Sequence, residues 1–379
     1  MRTIIFGTYD TAMHPRIATI AEGLAAHGFD VCECNIPLGL STADRVDMLA
    51  KPWKAGGLAA RLASRWLGLA RKARALGRPD AVVVGYLGHF DVHLARLLYP
   101  RRRGVPVVLD HLISAANTAK DRRIAGGGAK QRLLELIDAA ALRAADIVLV
   151  DTEEHREIVP ERYRPKTVVV NVGAPQPWHA AAAEPYRDAA GPLKVVFYGL
   201  YTPLQGTPVI GGALGRLAGA PVEVTMIGRG QDEAETKRAA AANAAVTWLD
   251  WVPAAELPAL VASHDVCLGI FGTGDKALRV VPNKVFQGAA AGCAVVTSDT
   301  APQRRVLGAV SQESGAVLVP PGDPEALAGA LAGLANDREA LLKLRHAARQ
   351  LATERFTPEA VVTPLVDRLA ADRLVPPHA

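Results

Sequence analysis

Cysteine is scarce: Cys32, Cys34, Cys267 and Cys293 are the only ones in 379 residues, all inside or beside apolar runs, with no C-x-x-C and no His or Cys at metal-ligand spacing. This usage predicts reduced, buried thiols in a cytoplasmic protein and argues against a disulfide framework. Long hydrophobic runs are missing too. No window of about 18 residues is apolar and uncharged, and the opening MRTIIFGTYD lacks an apolar core with a cleavage site behind it, so neither a membrane span nor an export signal is expected. Aromatics make up 5% of the chain and no basic stripe is interleaved with them, which disfavours nucleic acid as a partner.

Several phosphate and nucleophile motifs are absent as well. A dinucleotide fingerprint needs three glycines in the first strand-to-helix turn; FGTYDTAMHPR has a single glycine and IGRGQDEA only the first two. There is no P-loop, no G-x-S-x-G elbow and no H-E-x-x-H. No aspartate is followed by another two positions on. A D-x-D metal clamp is therefore absent, no metal or other cofactor is expected, and a bound diphosphate would be neutralised mainly by the protein.

What is present is half hydrophobic, long enough for two domains, and slightly basic, with net charge +5 and pI near 9.1. That balance leans toward anionic partners. Short β-branched runs alternate with alanine-rich segments of helical period: TIIFGT, DVCECNI, DAVVVGY, VPVVLDH, DIVLVDT and TVVVNVG, then KVVFYGL, VEVTMIG, VTWLDWV, DVCLGIF, AVVTSD and GAVLVPPG. The pattern predicts an α/β protein of two doubly wound, Rossmann-like domains. WHAAAAEPYRDAAGP carries no strand signal and is the linker candidate. The expected division is 1–178, linker 179–192, 193–357, and a C-terminal helix over 358–379.

Residues 51–78 hold eight Lys or Arg and no acid, with Leu58, Leu62, Trp66, Leu69, Ala73 and Leu76 on one helical stripe. Two readings stand: a helix packed on the sheet with solvated cations, or one lying peripherally on an anionic membrane. Arg101, Arg102 and Arg103 form either a solvated loop or part of the same anionic-surface patch.

Ligands of parallel sheets sit at the carboxyl ends of strands. In the second half three such ends carry chemistry. LYTPLQGTP places Gly199 where backbone can approach a ligand, and Gln205-Gly206 where a helix begins, with free N–H groups suited to an anion. Gly228-Arg229-Gly230 is a Gly-x-Gly turn around a cation. TGDKALRVVPNK crowds Lys276, Arg279 and Lys284 at a helix start prepared by Pro282 and Asn283. Gln287 lies one turn beyond Lys284 and is placed for a ribose or sugar hydroxyl pair, or for solvent.

HPRIATIAEGLAAHGFDV, ADIVLVDT, VVFYGLYTPLQG, VTWLDWVPAAELPALVASHDVCLGIFG and PNKVFQGAAAGCAVVTSD, in this order and spacing, resemble the retaining glycosyltransferases of family 4, which have the two-Rossmann GT-B architecture. The resemblance implies a nucleoside-diphosphate sugar in the second domain, a small-molecule, glycan or lipid-linked acceptor mainly in the first, transfer in the cleft between them, and a last helix that crosses back. It adds Leu200, Val252 and Val281 to the donor-binding residues. It also exposes departures: two glutamates eight positions apart are usual where this chain has Arg279 and Gln287, and an Arg and a Lys are usual where it has Leu200 and Gln205. Lys276 and Arg279 return positive charge to that region.

The mechanism implied is ionisation of the sugar–phosphate bond, with the leaving oxygen taking the acceptor proton. It needs electrostatic stabilisation of the diphosphate and no carboxylate pair. Lys276 and Arg279 are the expected catalytic cations, and His111, by resemblance, touches the donor sugar. Asp110, at the end of VPVVLDH, and His14 and Arg16, after the first strand, are candidates for the acceptor or the diphosphate. The alternatives are a non-catalytic nucleotide-sugar-binding subunit, or an epimerase or pseudo-glycosidic coupling enzyme on the same architecture.

Overall fold

The computed structural model describes residues 1–10, 15–39, 52–86, 88–112, 114–116, 128–182, 191–308 and 315–374. Two compact units divide it: Met1–Asn171 with Val361–Ala379, and Val172–Ala360.

The first unit is built on strands β1 (Arg2–Gly7), β2 (Asp30–Asn35), β3 (Ala81–Val84), β4 (Val107–Asp110), β5 (Ile147–Val150) and β6 (Thr167–Val169). They form one parallel sheet in the order β2-β1-β3-β4-β5-β6. The second unit has β7 (Leu193–Tyr198), β8 (Val222–Ile227), β9 (Val246–Leu249), β10 (Val266–Leu268), β11 (Ala294–Ser298) and β12 (Ala316–Val319). Their order is β12-β11-β10-β7-β8-β9, again all parallel.

Continuous apolar runs fit strands covered by helices on both faces, and every residue of β3, β4 and β5 is buried. Side chains alternate between two apolar clusters in each unit. Val195 and Phe197 enter one and Val196 and Tyr198 the other, as Ile4 and Phe6 oppose Ile5 in the first unit. In the second sheet the chain order reverses between β7 and β10. Such a switch point opens a crevice at the carboxyl ends of the two strands.

Helix Pro52–Ala75 uses its apolar stripe for the core: Leu69 and Ala73 are buried there, with Trp66 and Leu76 packed alongside. That stripe is therefore not free to enter a bilayer; the side chain of Leu58 lies outside the described residues. Among the described residues no helix is long and apolar enough to cross a membrane. Helix Pro358–Leu374 delivers Val362, Leu365 and Leu369 to the first unit's cluster beside Ile17 and Leu24. Helix Gln176–Ala181 belongs to the second unit, where Trp178 stacks on Tyr198 with ring centroids 5.6 Å apart. Residues 183–190, most of the stretch read as a linker, lie outside the described residues.

Candidate functional site

At the switch point two glycine turns are pressed together. Gly199 follows β7 at φ 145° and Gly228 follows β8 at φ 127°, both in the region that favours glycine. A Cβ on Gly228 would stand 1.9 Å from the Gly199 carbonyl oxygen, and one on Gly230 2.2 Å from that of Tyr201. The Tyr201 N–H donates to Arg229 O at 2.9 Å, and Asp232 N–H to Tyr201 O at 3.1 Å. The glycines of Gly228-Arg229-Gly230 are thus required by backbone packing against the neighbouring turn. The Arg229 side chain pairs with Asp250, both well exposed.

The end of β10 closes the same crevice. Gly206 has φ 65°, and a Cβ there would lie 2.4 Å from Gly272 N, while Phe271 N–H donates to Gln205 O at 3.0 Å. Gly206 caps helix Thr207–Arg216 with no side-chain acceptor.

Into this crevice comes one buried amine. Helix Asn283–Ala290 begins after Pro282, which occupies the capping position, one residue earlier than the first-turn place expected for it; no side chain caps the helix. Its first N–H groups have no intrahelical acceptor. Lys284 is 4% exposed, and its Nζ donates to Gln205 Oε1 and stands 4.0 Å from the centre of the Phe197 ring. A Cβ on Gly199 would lie 3.0 Å from that Nζ. The amine reaches from its helix to the turn after β7, and burial pushes its pKa down to about 7.

Gln287 is turned away from solvent. It is buried, and its Oε1 accepts from the Tyr198 hydroxyl at 2.9 Å. Burial raises the Tyr198 pKa well above its usual value, so this hydroxyl stays a donor. Arg279, in the turn Ala277–Arg279, lies 3.8 Å from Asp275 and is partly exposed. The three expected cations therefore occupy unlike environments: Lys284 is buried against the β7 turn, Lys276 is half-buried and Arg279 has a carboxylate neighbour. Leu200 is exposed, Val281 is buried, and Val252 packs half-buried on the cluster that holds Val285 and Phe286.

In the first unit, Arg16 and Asp110 pair with each other. Arg16 Nε donates to Asp110 Oδ1 at 2.9 Å and its Nη1 to Val170 O at 2.8 Å, with both side chains buried. They tie helix Pro15–Ala26 to the ends of β4 and β6. Asp110 Oδ2 and Arg16 Nη2 are buried with no hydrogen-bond partner among the described residues. Burial raises the Asp110 pKa against the opposing pull of Arg16. His14 lies outside the described residues.

His111 has company that no spacing along the chain signals. Its ring meets His89 edge-on, with centroids 5.3 Å apart, and His89 Nε2 is 2.9 Å from Asp138 Oδ1. Asp138 also accepts from Ser114 Oγ at 2.7 Å and from the N–H groups of Ala115 and Ala116 at 2.9 and 3.1 Å. Burial and the neighbouring His89 push the His111 pKa down to about 4, with Asp138 opposing, so the ring is neutral at pH 7. Burial alone would raise the Asp138 carboxyl, but the two histidines and Ser114 outweigh it and hold it at about 2. Donor atoms of His89, His111 and Asp138 lie within 4.8 Å of one another, a set whose chemistry also suits a divalent transition metal.

The fold is that of the GT-B class, two parallel doubly wound α/β sheets, and the second sheet has a buried cation at its switch point. Residues 192–337 match the family model described as Glycosyl transferases group 1. No curated protein matches the sequence. Among solved structures, the chain is similar to a sucrose-phosphate synthase from Thermosynechococcus elongatus at 15% identity and TM-score 0.67, covering 98% of both chains. It is similar to HepE of Anabaena, solved with UDP and glucose, at 13% identity and TM-score 0.65, covering 98% of this chain and 99% of that one. A UDP-forming α,α-trehalose-phosphate synthase from Burkholderia vietnamiensis gives 16% identity and TM-score 0.65, covering 97% and 96%.

Proposed function

We propose that the protein is a glycosyltransferase that takes a sugar from a nucleoside-diphosphate sugar and passes it, with retention of anomeric configuration and without a metal, to an acceptor hydroxyl. The observation that carries this reading is Lys284: a buried amine delivered by helix Asn283–Ala290 to the glycine turn after β7, at the switch point where Rossmann-type sheets hold nucleotides. A diphosphate there meets the ammonium, the backbone of Gly199 and the first N–H groups of helix Asn283–Ala290. The match of residues 192–337 to group 1 glycosyl transferases supports it, as does the likeness to a HepE structure solved with UDP-glucose.

In this reading Lys284 supplies, from the helix, the positive charge that the related enzymes hold at the positions of Leu200 and Gln205. Arg279 and Lys276 add charge at the rim. The ionising sugar is stabilised through its leaving diphosphate, whose oxygen takes the acceptor proton, so water-excluded electrostatics carry the reaction. His111, neutral and locked beside His89 and Asp138, suits a hydrogen bond to a sugar hydroxyl.

One observation favours a second reading. Gln287 stands where the related enzymes carry a carboxylate and is already engaged by Tyr198, which fits a subunit that binds nucleotide sugar without turning it over. Incubating the protein with uridine, guanosine, adenosine and thymidine diphosphate sugars, with and without a chelator, separates the two. Slow release of nucleoside diphosphate unaffected by chelator, with product of the donor's anomeric configuration when an acceptor is supplied, supports transfer. Tight binding with no release from any donor or acceptor would replace it by the binding-subunit reading, and loss of activity on chelation would overturn metal independence.

A further inference from the structure

Two basic runs far apart in the sequence meet on one face of the first unit. Arg74 and Arg78, at and beyond the end of helix Pro52–Ala75, and Arg103, from the turn Arg101–Arg103, line a cavity of about 540 Å³ whose other walls include Leu97, Tyr99 and Val105. Arg78 Nη2 donates to Arg103 O at 2.6 Å and Arg103 Nη1 to Leu98 O at 3.1 Å, which fixes the two guanidiniums at the cavity without spending their charge on a carboxylate. On the exposed side of the same helix Arg61, Arg65, Arg71 and Lys72 point to solvent. Between positions 51 and 109 the only acids are Asp80 and Asp91. Asp80 accepts from the Arg2 N–H, and Asp91 is buried against Thr8 and Trp66. Two leucines stand out among these cations, Leu67 at 64% and Leu97 at 77% exposure.

From this placement we infer that this face of the first unit docks on an anionic lipid bilayer, with the Arg74–Arg78–Arg103 cavity taking the phosphate of a lipid headgroup. Charge complementarity selects the occupant: cations that meet no carboxylate among the described residues surround a cavity with an apolar wall, and exposed leucines beside them suit the boundary between headgroups and acyl chains. The helix's apolar stripe plays no part, because it is already in the core. The contact is made by its outer, basic face, and the inference does not depend on the transfer reading above.

The test is flotation of the full chain with vesicles of phosphatidylcholine alone or mixed with phosphatidylglycerol, at low and high salt. The expected result is binding to the phosphatidylglycerol vesicles that weakens with salt and is absent from phosphatidylcholine. The combined substitution Arg74→Ala, Arg78→Ala and Arg103→Ala lowers that binding by about a hundredfold, from the contribution of each cation near an anionic surface. Leu97→Ser weakens it in a salt-independent way. Circular dichroism melting of each variant checks that it is folded. Equal binding to both lipids, no binding to either, or a folded triple variant that binds like the wild type would overturn the assignment. Equally tight, salt-sensitive retention of short duplex DNA would also overturn it, by making the patch a general polyanion surface.

Discussion

A lysine taken out of water gives up its proton readily, and Lys284 is the residue on which the proposed chemistry turns. Free, it titrates at about 7; a bound diphosphate restores the charge, so binding above that pH must take up a proton. Nucleotide affinity is therefore fully present below about pH 7 and falls by up to tenfold per pH unit above it. Calorimetric titration with UDP in buffers of different ionisation enthalpy reads this directly, and an affinity that stays flat from pH 6 to pH 9 would contradict it. Stability runs the other way. An unfolded lysine titrates near 10.4, so between about 7 and 10.4 the unfolded chain binds more protons than the folded one, and this residue's contribution to stability rises with pH. Lys284→Met should accordingly raise Tm at pH 6 by more than at pH 9.

The sequence crowds three cations into one short stretch but does not say which of them is buried. Lys276 and Arg279 read as the catalytic cations and Lys284 as a donor-binding residue at the helix start, and the separation of the three into buried and surface settings depends on which way each element turns. Gln287 was legible as one turn from Lys284, whereas its partner Tyr198 sits on another strand, beyond the reach of local spacing.

At the scale of elements, the twelve strands were readable because both faces of a covered parallel strand must be apolar, and continuous β-branched runs say so. The glycine turns were readable as turns but not as a pair. Gly228 was legible as the start of a Gly-x-Gly turn around Arg229, and its necessity comes from the 1.9 Å that a Cβ would leave to Gly199 O. Gly228→Ala should destabilise the second unit by on the order of 3 kcal/mol, from steric overlap together with an unfavourable φ, measured by urea unfolding; a loss below 1 kcal/mol would mean that the two turns part easily. In the first unit, the cluster of His89, His111 and Asp138 joins three segments that only the sheet order brings together. Nothing in its spacing announced it.

For the molecule as a whole, two-domain α/β organisation followed from length and from the repeated strand–helix alternation. The place of the last helix came from resemblance and not from periodicity, since its apolar residues are scattered. In the structure Leu365 is fully buried in the first unit's cluster, although it follows the second unit in sequence. Leu365→Ala should cost about 2–5 kcal/mol and lower the unfolding transition of the first unit, read by calorimetry; a transition unchanged in both position and enthalpy would show that the helix is dispensable to that core.

In the proposed function the second unit binds a nucleoside diphosphate through Lys284 at the β7–β10 switch point. Isothermal titration of the wild type and of Lys284→Ala with UDP, GDP, ADP and TDP at pH 6.5 tests it most directly. Saturable binding of at least one of these by the wild type is expected, with a loss of about tenfold to a hundredfold in the variant, the range for a charge-assisted contact. No binding of any nucleotide by the wild type, or equal affinity in the folded variant, would contradict it.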